Sequence, residues 1–494
     1  VADLVPYDPA SPQTFWLYKL VNELLLRQPI YKKRKAYYDG DHPVPDGDQR
    51  YVRALKKMQK KARTNYISLI TNSPVERMHV KAFRFGPEGK ADPEAKAIWD
   101  YNDMDRQSDL IHLDAAIYGV GYALVSPPDV GKKYPVITRE DPRICISWPD
   151  PVKPTRAVAA LRMWYDDIEQ RILAVVYLPD SFHGYIGPNI PDFHTYSYER
   201  LRETLLPSHA GPAAFRYAGS IPNEAGVVPV VEYQWRNNGE LCPEGECGED
   251  LRDIQDRVNM TILDRMVISR TQAYKQRYVS GLEIPKTTTG QAKPPFDPGA
   301  DTLWVTSNKD AKFGEFAGSD IRMILEAVRD DVADMASISK TPAHYLMGRI
   351  ANVSGDTLTQ AETGLVSKAK IRMNSMGWSH ETVLKTCFYY VGDTTRAEDI
   401  EAQTLWFNPE QKTFAEQADG AQKLVTAGVP LQLVMERLDF SPDEIEFAIQ
   451  ERDRLEQKQM DQQKEMAQQQ ADTAVQVAKA TAQNKPKPSG KASK

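Results

Sequence analysis

Two one-faced helices, separated by a segment that cannot be helical, constrain this chain more than any other feature. Leu251, Ile254, Val258, Ile262 and Met266 recur every three or four residues, which predicts one helix from Glu249 to about Tyr278. Ser280-Gly281-Leu282-Glu283-Ile284-Pro285 ends it. Thr287-Thr288-Thr289-Gly290 and Lys293-Pro294-Pro295-Phe296-Asp297-Pro298-Gly299 follow, dense in turn formers and short of backbone donors. A strand-like Thr302-Leu303-Trp304-Val305 comes next. Ser319 then caps a second helix with Ile321, Leu325, Val328, Val332 and Met335 on one face, ended by Pro342. A helix with a single apolar stripe must bury it.

The regions on either side are of mixed type and give an α+β reading. Leu17, Leu20, Val21, Leu24 and Leu25 mark a helix over Phe15 to Arg27, continued in style by Tyr31 to Tyr38. A further helix from Arg50 carries Ala54, Leu55 and Met58, and the apolar pattern resumes at Asn65-Tyr66-Ile67. Asp39-Gly40-Asp41 and Asp46-Gly47-Asp48 lack the closing glutamate of a calcium loop and read as turns. From Val136 to Val231 the pattern is that of strands broken by Pro and Gly, including Ile144 to Trp148, Ala157 to Tyr165 and Ile172 to Leu178. Met347 to Asp356 is a loop with small residues at both ends, and Thr357 to Val391 is one very long helix. Gly364 and Gly377 interrupt that helix at about 1 kcal/mol each, which predicts a bend or a close contact. A strand follows over Ala402 to Phe407. Ser441-Pro442-Asp443-Glu444 is a capping box with proline at the first helical position. Beyond Ala471 few large apolar residues remain, and the tail is expected to be mobile.

Composition removes several function classes. Lys and Arg total 62 against 68 Asp and Glu, a net charge of −6, which argues against a surface that grips nucleic acid throughout. Residues 31–63 are the local exception, with eleven Lys or Arg against four Asp; a solvated helix face explains this better than a phosphate-facing strip. No apolar run reaches the ~18 residues of a membrane span. The opening VADLVPYDP lacks the basic and apolar segments of a signal peptide. Cys145, Cys242, Cys247 and Cys387 are too few for a disulfide framework, and the C-x4-C pair Cys242/Cys247 has no second pair to complete a zinc site. Gly119-x-Gly121 precedes a strand rather than opening a helix, so it is no dinucleotide loop. No phosphate-binding loop, zinc-protease motif or nucleophile elbow is present. The expectation is a protein with no catalytic residues, cofactor or metal.

The order of the parts resembles the portal proteins of long-tailed double-stranded DNA bacteriophages. The resemblance rests on Tyr37-Tyr38-Asp39-Gly40-Asp41-His42 with Asn65-Tyr66-Ile67 downstream. It rests also on Pro229-Val230-Val231-Glu232-Tyr233, Arg236-Asn237-Asn238 and Asp253-Ile254-Gln255-Asp256, which lead into the first long helix. In that family the subunits form a ring, usually of twelve, at one capsid vertex, and the genome enters and leaves through it. The resemblance implies a wing over residues 1–245, a first stem helix over 246–278, a clip over 279–318 and a second stem helix over 319–345. It implies a tunnel loop over 346–356, a long kinked helix and wing return strand over 357–410, a crown over 411–470 and a flexible tail over 471–494.

It further implies residue roles. Gly348, Arg349, Ile350, Asn352 and Val353 would form the tunnel loop against DNA, with Lys340 as a second basic ring. Glu326, Asp330, Asp331 and Asp334 would line the channel and repel phosphate, unless they are solvated outer surface. Lys286, Lys293, Lys309 and Lys312 would line the clip. The implied partners are other copies of the chain in a homododecamer, double-stranded DNA without sequence preference, the large terminase subunit, a head–tail connector or adaptor, and the major capsid and scaffolding proteins. The implied location is the virion, after assembly in the host cytoplasm, with no membrane. A non-channel minor capsid or tail protein, or a carboxylate-dependent soluble hydrolase, are the alternative readings.

Overall fold

The computed structural model describes residues 11–43, 58–86, 90–154, 156–191, 193, 196–206, 214–236, 239–273, 277–281, 306, 308–315, 320–348, 355–410 and 414–483. It divides into two units, Val1–Glu410 and Gln411–Lys494. The first unit mixes helices and sheets, in keeping with the α+β expectation; the second is helical in its described residues.

Helix α1 (Pro12–Tyr38) runs without a break through Pro29. Proline inside a helix costs about 3 kcal/mol, and burial on both sides of it outweighs that cost. Leu17, Leu20, Val21 and Leu24 are fully buried upstream, and Tyr31 and Tyr37 are buried downstream. The upstream face packs on a five-stranded antiparallel meander of β4 (Cys145–Pro149), β5 (Ala157–Asp166), β6 (Arg171–Tyr177), β7 (Ser181–Asn189) and β8 (Arg216–Pro222). Ile146, Leu161 and Val176 of that sheet share its core.

A second core surrounds a three-stranded sheet in the order β3 (Val136–Glu140), β2 (Val120–Ser126), β9 (Val230–Gln234). The central strand, β2, is buried on both faces over nearly its whole length. Helices α2 (Tyr66–Val75), α3 (Pro93–Tyr101) and α4 (Met104–Tyr118) contribute to the surrounding layers. Asn65 caps α2 by accepting from the Ser68 amide, so the resumed apolar pattern begins a new helix there. In the same core His112 and His380 are fully buried with their Nε2 atoms 2.9 Å apart.

Beyond α5 (Tyr198–Leu205) and β9 comes the helical pair foreseen in the sequence: α6 (Glu249–Ala273) and α7 (Ile321–Ser339). Strands β10 (Arg277–Ser280) and β11 (Lys312–Glu315) join them as an antiparallel ribbon. The strand expected at Thr302 to Val305 lies outside the described residues. A five-residue helix, α8 (Ala343–Met347), follows, and then the long helix α9 (Gly355–Val391). Gly377 answers the expectation of close contact: a side chain there would meet Trp406 Nε1 at 3.2 Å and Thr404 Cβ at 3.3 Å. The Thr404 hydroxyl also donates to the Gly377 carbonyl at 2.9 Å. Helix α10 (Thr394–Ala397) leads to β12 (Gln403–Trp406), which pairs antiparallel with β1 (Val80–Arg84).

The second unit holds α11 (Phe414–Thr426), α12 (Leu431–Arg437) and α13 (Pro442–Gln483). The capping box at its last helix is formed as read: Ser441 Oγ accepts from the Glu444 amide, and Glu444 accepts from the Ser441 amide. That helix continues to Gln483, past the boundary expected near residue 470. Ala, Gln, Lys and Glu are good helix formers, so the absence of large apolar residues does not by itself end the helix.

Candidate functional site

Helices α6 and α7 pack antiparallel as a hairpin. At the end nearest the mixed core, Val258, Ile262 and Leu263 pack with Val332, Met335 and Ala336, all buried. Towards the ribbon this core thins. Met266, Val267, Val328, Ile324 and Leu325 are only half-buried, and Met323 is 71% exposed. A groove of about 350 Å³ opens there, lined by Val267, Ile268, Met323 and Ile324 among others.

The four carboxylates of α7 fall into two pairs. Arg257 of α6 donates to Asp331 at 2.7 Å and approaches Asp334 at 3.6 Å. Glu326 and Asp330 are exposed and have no cationic partner among the described residues. The uncompensated negative charge of the helix is therefore concentrated on those two.

Lys340 ends α7 in the left-handed conformation, with φ 52°, and its side chain is exposed. Gly348 closes α8 in the same way, with φ 62°. Arg349, Ile350, Asn352 and Val353 lie outside the described residues, as do Lys286 and Lys293. Lys309 and Lys312 are exposed, Lys312 at the start of β11. Of the basic run at residues 31–63, several cations have structural partners. Arg34 is buried and donates to the carbonyls of Tyr118 and Pro243, Lys33 pairs with Glu249, Lys35 with Asp39 and Arg63 with Asp41. The solvated or structural reading holds for these four.

Two buried networks that the sequence did not signal hold the ends of these elements. Lys368 of α9 donates to Glu246 Oε1 and to the Ser339 carbonyl, both at 2.6 Å. Glu246 also accepts from Trp235 Nε1 at 2.8 Å. One ammonium thus joins the residues just before α6, the last residue of α7 and the long helix. In the second network Arg77 donates to the Pro409 carbonyl at 2.8 Å, to the Tyr345 hydroxyl at 2.8 Å and to Glu362 at 3.0 Å. The Tyr345 hydroxyl donates to the other Glu362 oxygen at 3.2 Å. The residues before and after segment 348–354 are therefore anchored on one guanidinium. Arg77 stands 268 to 332 residues from its partners and Lys368 122 from Glu246, so no spacing rule could have found these contacts.

Other clusters offer less. Among the described residues no group of three or more His, Cys, Asp or Glu could hold a metal ion, and all four cysteines are free. No described helix is long and apolar enough to cross a membrane. Ser181 Oγ and His183 Nε2 are 2.9 Å apart, but His183 Nδ1 faces the Tyr217 hydroxyl rather than a carboxylate.

Comparison with known proteins decides the family. Residues 18–470 match the family described as phage portal protein, SPP1 Gp6-like. The chain belongs to this family of phage portal proteins. It is 24% identical over 409 residues to the portal protein of Mycobacterium phage L5, covering 80% of this chain and 78% of that one. It is 24% identical over 387 residues to the portal protein of Mycobacterium phage D29, covering 74% and 73%. Portal membership implies a subunit of an oligomeric ring with a role at a DNA channel in packaging, and the α+β architecture with its long helix is consistent with that fold.

Proposed function

We propose that this chain forms a closed ring at one capsid vertex, through which double-stranded DNA is packaged and later ejected. The thinning core of the α6–α7 hairpin carries this reading. Its outer half leaves an apolar stripe half-buried in one copy, and neighbouring copies around an axis are the surface that completes it. The hairpin is then the stem (246–278 and 319–345) and the ribbon lies in the clip (279–318). Residues 1–245 and 357–410 make the wing, 346–356 the tunnel loop and 411–470 the crown.

Glu326, Asp330, Asp331 and Asp334 are assigned to the channel wall, where unneutralised carboxylates keep the sliding duplex from adhering. Each phosphate neutralised by a cation would otherwise add affinity through counterion release. Asp331 and Asp334 share Arg257, so within one copy only Glu326 and Asp330 are left without a cation among the described residues. Gly348, Arg349, Ile350, Asn352 and Val353 are assigned to the loop at the channel's narrowest point, with Lys340 beside it. Lys286, Lys293, Lys309 and Lys312 face the large terminase subunit during packaging and the connector afterwards. Major capsid and scaffolding proteins complete the vertex. The chain itself is not an enzyme on this reading, and ATP hydrolysis belongs to the terminase.

Packaging with the Arg349→Ala chain tests the loop assignment: DNA retention should fall while ring formation persists. Packaging and retention at wild-type levels would remove Arg349 from the channel contacts.

A further inference from the structure

The exposed surface of α7 has one basic flank and one acidic one. At 3.6 residues per turn, Arg329 and Asp330 project about 100° apart, with Glu326 between them. The opposite side of the helix carries Val328, Val332 and Met335, which pack towards α6. Arg322 stands seven residues before Arg329, so that flank is basic over two turns, whereas the other flank is apolar at Met323 and acidic seven residues on at Asp330. Arg329, Glu326 and Asp330 are all exposed, and none has an ion-pair partner among the described residues. Arg329 could have met Glu326 within the helix at a three-residue spacing, yet that pair is not made.

A ring closed by rotation brings one flank of a subunit against a different flank of the next. We propose that Arg329 of one copy pairs with Asp330 of the adjacent copy, so that these two residues form the repeating seam of the stem. The inference rests on the ring reading above and refines it. Asp330 is then neutralised in the seam and leaves the channel wall, Glu326 between the flanks supplies the repulsion in the bore, and the groove beside Val267 and Met323 is covered by the same neighbour. Charge complementarity between the flanks selects a second copy of this chain as the occupant.

Charge reversal in the full-length chain tests the seam. Arg329→Glu alone sets carboxylate against carboxylate, and Asp330→Arg alone sets cation against cation. Each should raise the protein concentration for half-assembly about tenfold or more, with the subunit's circular dichroism unchanged. The double variant R329E/D330R restores an opposite-charge seam and should recover assembly. So should an equimolar mixture of the two single variants, because every seam of an alternating ring then joins a carboxylate of one variant to a guanidinium of the other. Rescue on mixing is the decisive readout, since a defect confined to one chain cannot be repaired by a partner. Rings that form normally in both single variants would overturn the seam and leave the portal reading intact. Single variants that fail and are rescued neither by mixing nor by the double change would also overturn it. A wild-type chain that forms no ring would instead remove the reading on which the seam rests.

Discussion

Lys368 and Glu246 meet at 2.6 Å with both side chains almost wholly buried, at 8% and 3% exposure. The same ammonium holds the last carbonyl of α7, so the base of the hairpin is fixed to the long helix by a charge that cannot be left alone. Removing one member of a buried ion pair costs about 3–5 kcal/mol when the other is left alone, an upper bound here because Arg372 stands 4.0 Å from the second Glu246 oxygen. Lys368→Met should lower the unfolding free energy by up to that amount in chemical denaturation. Lys368→Met with Glu246→Gln should recover part of it, because the stranded charge is gone. A single variant within about 0.5 kcal/mol of wild type would show that the pair is not formed.

Arg77 distributes one guanidinium over Tyr345, Glu362 and Pro409. Arg77→Lys keeps the charge but loses the planar fork. A double-mutant cycle with Glu362→Gln should give a coupling of about 1–3 kcal/mol. Additive effects would mean that residues 345 and 362 are held by something else.

Lys340 lies beside Gly364, whose missing side chain would sit 3.5 Å from the lysine Cβ, and it holds a left-handed backbone. Non-glycine residues resist that conformation by roughly 1 kcal/mol. Lys340→Gly should therefore keep or raise stability, by up to about 1 kcal/mol, while deleting the charge. If Lys340 forms a basic ring in the channel, the same variant lowers DNA retention without loss of melting temperature. Unchanged retention would leave the residue as a helix terminator only.

Burial pushes the His112 imidazole down to about 3, and burial with the adjacent His112 puts His380 well below its usual range. Both are neutral in the fold and bind protons more readily when unfolded. The His112 contribution is therefore present above the unfolded value near 6.5 and is lost as pH falls from there towards 3, and that of His380 is lost in the same direction. For His112 the loss is about 1.4 kcal/mol per pH unit across that window. Asp114, pushed up to about 6 by burial, acts in the opposite direction. The informative quantity is thus the difference between wild type and His112→Gln in denaturant melts between pH 7 and 5. A shallower slope in the variant is expected, and parallel slopes would show that His112 titrates normally in the fold.

The helical hairpin, the strand-rich middle region and the capping box were legible because each depends on local periodicity or a four-residue pattern. Leu17 to Leu25 and Leu251 to Met266 carry their helical period in the sequence itself. The passage of α1 through Pro29 was not legible, because packing on the meander overrides a local cost. Nor did the sequence show that Asp331 and Asp334 share Arg257, since that depends on the register between two helices. The buried networks at Lys368 and Arg77 are long-range by nature. Charge patterns could suggest that Glu326 and Asp330 matter, but only the fold shows that these two lack a partner among the described residues of their own chain.

Light scattering of the purified full-length chain, with negative-stain images of the same sample, tests ring closure most directly. Twelve copies of 55.8 kDa give a particle of about 670 kDa with an axial hole, which is the predicted result. A monomer or dimer that persists at high protein concentration, or a large particle without a hole, would contradict it.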